Sequence, residues 1–73
     1  MTNEYAIFAS RFGLDHTVAY VLPALFENAA GKAKMPVRVL LSQATYSNNA
    51  LGKYLADCAR KVAKEAPASL SML

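Results

Sequence analysis

The sequence has a single cysteine, a single histidine and no tryptophan. Cys58 has no partner for an intrachain disulfide, and Cys58 with His16 falls short of the ligands a structural zinc cage requires. No metal or cofactor is expected, so stability must come from packing or from a second subunit. Long apolar runs are also missing. The longest, Val18 to Phe26, is interrupted by Pro23 and is far shorter than the ~20 residues that span a membrane. The first ten residues hold Glu4 and no Lys or Arg, unlike the basic start of a secretory signal. With one cysteine, these features predict a reducing, cytoplasmic setting and no membrane partner.

The pieces of a catalytic site are lacking as well. The five carboxylates form no recognisable pair. His16 follows Asp15, but neighbouring residues of a helix do not face each other, and a geometry for base catalysis must come before any tuning of pKa. Cys58 falls among apolar positions, where a thiol behaves as a small inert hydrophobe. Gly31-Lys32 has neither the earlier glycine nor the following Ser or Thr of a phosphate loop. A non-enzymatic binding protein is the expectation.

What the chain does have is apolar content, 55% over 73 residues. A domain this small buries only about 60% of the surface its unfolded chain exposes, so some of that content should lie at an interface. A homo-oligomer, most simply a homodimer, follows. The charge is lopsided. Residues 1–31 set Arg11 against Glu4, Asp15 and Glu27, a net of −2. Residues 32–73 set Lys32, Lys34, Arg38, Lys53, Arg60, Lys61 and Lys64 against Asp57 and Glu65, a net of +5. A cationic C-terminal half suits an acidic partner.

Periodicity and punctuation predict an all-α, compact four-helix domain over residues 1–66, with a short tail over 67–73. The first helix, Asn3 to Phe12, aligns Tyr5, Phe8, Ala9 and Phe12 and stops at Gly13. The second starts after the N-cap Asp15 and ends near Gly31, aligning Val18, Val21, Leu22, Leu25 and Ala29. Pro23 lies inside it and should kink it, or else break it and begin a new helix. Gly31 to Met35 reads as a basic connector. Pro36 opens the third helix, with Val37, Leu40, Leu41 and Ala44 inward. Tyr46 to Asn49 reads as a turn. The fourth helix buries Leu51, Tyr54, Leu55, Cys58, Val62 and Ala66, shows Lys53, Asp57, Arg60 and Lys64, and ends at Ala66-Pro67. The competing fold is α+β, since 37–41 is β-branched and partly alternating and 18–22 could pair with it.

The last two helices resemble a helix-turn-helix in pattern. Leu40, Leu41 and Ala44 would lock the first, Tyr46 would plug the turn, and Leu51, Tyr54 and Leu55 would anchor the second. Ser47, Asn48, Asn49 and Lys53 would then start the helix that enters a major groove, where Asn pairs with adenine and Lys reaches guanine or phosphate. Arg38, Arg60 and Lys64 would neutralise phosphates. A small DNA-binding regulator is the function this pattern predicts. A homo-oligomeric protein-interaction or adaptor module is the alternative, carried by the aromatic first helix and the apolar second.

Overall fold

Helix α1 spans Asn3–Arg11 and buries Tyr5, Phe8 and Ala9, the face its spacing predicts. Gly13 terminates it in the left-handed conformation, at φ 69°. There the Leu14 N–H donates to the Ala9 carbonyl at 2.8 Å and the Gly13 N–H to the Ser10 carbonyl at 3.4 Å. This is a Schellman closure, with buried Leu14 as its apolar partner. Asp15 then caps α2, His16–Ala19, accepting from the Thr17 and Val18 N–H groups at 3.0 and 3.2 Å. The hydrogen bond from the Thr17 hydroxyl, reinforced by these N–H groups, holds the Asp15 carboxyl below its ordinary pKa.

These elements come from a computed structural model that describes the backbone of residues 3–47 and 49–71 and the side chains of 4–47 and 50–65. The chain is all-α. Among the described residues there is no strand: 37–41 is helical, and 18–22 is helix and turn, so the α+β alternative does not hold. Among the described residues, five α-helices and one π-helical turn stand where the sequence predicts four helices.

The extra helix comes from Pro23. It breaks the second predicted helix instead of kinking it. After α2 the chain turns at Tyr20 and Val21, and α3 runs Leu22–Ala33 with Pro23 in its first turn. There the missing N–H has no bond to lose. Helix α3 also continues past Gly31, which the sequence assigns to a stop. Lys34 takes the left-handed position instead, at φ 57°, and the Met35 N–H closes on the Ala30 carbonyl at 3.1 Å. An L side chain is strained there. Lys34→Gly is therefore expected to raise stability by about 0.5 kcal/mol, the strain relief less the entropy of an added glycine. A urea midpoint no higher than wild type would count against this.

Pro36 is extended and caps α4, Val37–Ser42. Gln43–Ser47 forms the π turn, and α5 runs Asn49–Ser71. It passes Pro67, where the sequence predicts a helix end: the proline removes one backbone bond without taking the chain off its helical path. Met72 and Leu73 lie outside the described residues. Phe8, Leu22 and Phe26 are fully buried at the centre. The Phe8 and Phe26 rings meet edge-on at 5.1 Å, and Tyr5 reaches Phe26 at 5.9 Å, so α1 and α3 share an aromatic contact of the favoured geometry.

Helix α5 sits in a different rotation from the one its hydrophobicity predicts. Its buried face is Gly52, Leu55, Ala56, Ala59 and Ala63. Leu51 and Cys58 are half-buried, Val62 is exposed, and Tyr54 is 64% exposed. Small residues face inward because the neighbours are large and close. A Cβ on Gly52 would lie 2.7 Å from the Phe12 Cε2 and closer still to the Phe12 Cζ and the Ala44 carbonyl oxygen. Helix α5 packs on the π turn, α2 and α3, while α4 packs on α1 and α3.

Candidate functional site

At 100° per residue, the small-residue stripe divides the rest of α5 into two edges. One carries Leu51, Tyr54, Cys58 and Val62. The other carries Lys53, Asp57, Arg60 and Lys64. Both edges therefore reach the surface. On the apolar edge, a hydrogen bond with Cys58 raises the Tyr54 phenol above its ordinary pKa. That edge faces α3 across a shallow groove bounded by Leu25, Ala29, Tyr54 and Cys58.

On the cationic edge, Lys53 and Lys64 are exposed. Arg60 is partly committed to the fold. One guanidinium nitrogen donates to the Phe12 carbonyl at 2.7 Å, and the other pairs with Asp57 at 2.8 Å. The Phe12 carbonyl lies just past the end of α1, where a cation complements the helix dipole. Arg60 thus ties the α1–α2 connection to α5, although 47% of its side chain stays exposed.

The remaining predicted site residues scatter. Ser47 is exposed at the end of the π turn. Asn49 begins α5, and Asn48 lies outside the described residues. Arg38 stands on α4, on another face. Tyr46 does not plug a tight turn: it belongs to the π turn and is 60% exposed. Arg11, which the sequence reading counts with the acidic half, comes to rest over Tyr46, its guanidinium carbon 5.9 Å from the ring centroid. That places a cation beside the turn that leads into α5. Its only signal in the sequence is its position at the end of an amphipathic helix.

A second surface lies where α1 meets α4 and the π turn. Its cavity of about 450 Å³ is lined by residues that include Glu4, Ile7, Arg38, Val39, Thr45 and Tyr46. Three large apolar side chains stay exposed around it: Ile7 at 44%, Val39 at 39% and Tyr46 at 60%. Thr45 is 2% exposed and its hydroxyl has no hydrogen-bond partner among the described residues. In an α-helix a threonine hydroxyl commonly bonds the carbonyl four residues back. Thr45 lies instead in the π turn. Such turns recur at functional sites.

Among the described residues, no group of three or more His, Cys, Asp or Glu is placed to hold a metal. No described helix is long and apolar enough to cross a membrane. No family model, curated protein or solved structure matches the chain.

Proposed function

We propose that this is a non-enzymatic, cytoplasmic binding protein whose cationic edge meets the phosphate backbone of duplex DNA. The observation that carries the reading is the placement of Lys53 and Lys64. Both are exposed on one edge of α5 and neither ion-pairs with a described residue. They are eleven residues apart, about 16 Å along the axis, with the half-exposed Arg60 between them. Between the two lysines Asp57 is offset by its pair with Arg60, and two free cations at that spacing can follow a sugar-phosphate strand without base contacts, so the binding is sequence-tolerant.

With two phosphates neutralised, by Lys53 and Lys64, affinity should fall roughly 12-fold between 50 and 200 mM salt. Fluorescence anisotropy against duplex DNA at the two salt concentrations reads this directly. Lys53→Ala and Lys64→Ala should each weaken all sequences alike and lower the salt slope by about one. No binding at low salt would end the proposal. Arg60 is a poor probe, since its removal also unties Phe12.

A protein-interaction module is the second reading, favoured by the exposed Ile7, Val39 and Tyr46 around the α1–α4 groove. It predicts binding that salt hardly changes.

A further inference from the structure

The exposed side of α1 carries a self-complementary pattern. Glu4, Ile7 and Arg11 follow at i, i+3 and i+7, so they form one stripe along the groove toward α4 and the π turn. All three are exposed. The acid stands at one end of the stripe and the base at the other, about 10.5 Å apart along the axis. Neither forms an ion pair with a described residue; the ion pair of the described chain is Arg60–Asp57. Ile7 stands as a ridge between two depressions. One is the groove bounded by Val39 and Tyr46, and the other is floored by the small exposed residues Ala6 and Ser10.

We propose that this face is the interface of a two-fold homodimer in which α1 packs antiparallel against α1 of a second copy. A two-fold axis midway between Glu4 and Arg11 sets each Glu4 against the partner's Arg11 and brings both Ile7 ridges to the centre. The charges choose this occupant. A parallel arrangement would set like charges together, and an unrelated partner has no reason to reverse the same pattern. Ala6 and Ser10 let the two helices approach closely, and Tyr46 and Val39 extend the apolar contact outward. An isologous interface of this kind closes on itself and leaves no free copy of the patch. The inference rests on the interaction reading of the groove and is independent of the cationic edge of α5.

Light scattering and sedimentation equilibrium without DNA test it. The wild-type chain is expected at twice its 7.9 kDa mass at micromolar concentration. Glu4→Arg and Arg11→Glu each turn two attractive contacts into repulsive ones. Each should raise the dimer dissociation constant at least about tenfold. The double swap, Glu4→Arg with Arg11→Glu, restores the opposite charges and should restore the dimer. Ile7→Glu should give a monomer. All three positions of change are exposed, and an unchanged helical circular dichroism spectrum confirms the fold. A monomeric wild type overturns the proposal, as does a dimer indifferent to the single swaps. A dimer that fails to bind DNA would end the reading of the α5 edge alone, and a DNA-binding monomer would end this one alone.

Discussion

Gly52→Ala is expected to destabilise the protein by about 3 kcal/mol or more, against the ordinary preference of helices. Inside a helix, alanine is favoured over glycine by up to about 1 kcal/mol. At Gly52 the new methyl would collide with the Ala44 carbonyl and the Phe12 ring. The carbonyl is backbone and cannot swing away, and the half-buried ring, packed on Phe8 at 4.8 Å, would have to move as well. Overpacking of this kind costs about 1–3 kcal/mol, and more where the obstacle is rigid. Gly31 supplies the control. It too lies inside a helix, but a Cβ there meets nothing within 4 Å. Gly31→Ala should therefore raise stability, by up to about 1 kcal/mol. Urea denaturation of both variants reads opposite signs from the same substitution. Two shifts in the same direction would mean that α5 does not approach the π turn as described.

The same glycine explains why α5 was legible as a helix but not in rotation. A hydrophobic pattern ranks Leu51, Tyr54 and Val62 above Gly52, Ala56, Ala59 and Ala63, because it counts transfer from water. Packing against Phe12 and Ala44 is limited by distance, and distance favours the smallest side chains. The inward direction turns accordingly, and Tyr54 is left in solvent. Elsewhere local rules sufficed. Gly13 stops α1, Asp15 caps α2 and Pro36 opens α4 because each effect acts within one turn of chain. Pro23 obeyed a local rule too, but the outcome between kink and break depended on whether α2 and α3 pack in one line. Lys34 holds the left-handed position three residues after the glycine that could have held it, so the stop appears at the wrong residue. The π turn gives no sequence signal at all. It takes in Tyr46 and Ser47, the first half of the turn expected at Tyr46 to Asn49, and α5 begins at Asn49. The candidate site reflects this mixture. The exposure of Lys53 and Lys64 follows from periodicity alone, whereas the place of Arg11 depends on its tertiary contact with Tyr46 and the second commitment of Arg60 on the position of Phe12.

Phe26→Ala should abolish cooperative folding at 25 °C. Phe26 is fully buried and touches Phe8 and Tyr5, so its ring joins α3 to α1. Truncating a core phenylalanine costs about 3–5 kcal/mol, the transfer term plus the cavity. A single core in a chain of this length rarely supplies more than about 3–5 kcal/mol in total. With no disulfide available to a chain with one cysteine, little is left in reserve, and the thermal transition should become broad and shallow. Tyr54→Ala removes an aromatic ring of similar size from α5 and should cost only about 0.5 kcal/mol, because that ring is largely in solvent. The contrast tests the rotation of α5 independently of Gly52. If α5 buried the face that its hydrophobicity suggests, Tyr54 would lie in the core and the two truncations would be comparably damaging. A sharp melting transition in Phe26→Ala, or the loss of one in Tyr54→Ala, would require α5 to be turned by about one residue, and the cationic edge would turn with it.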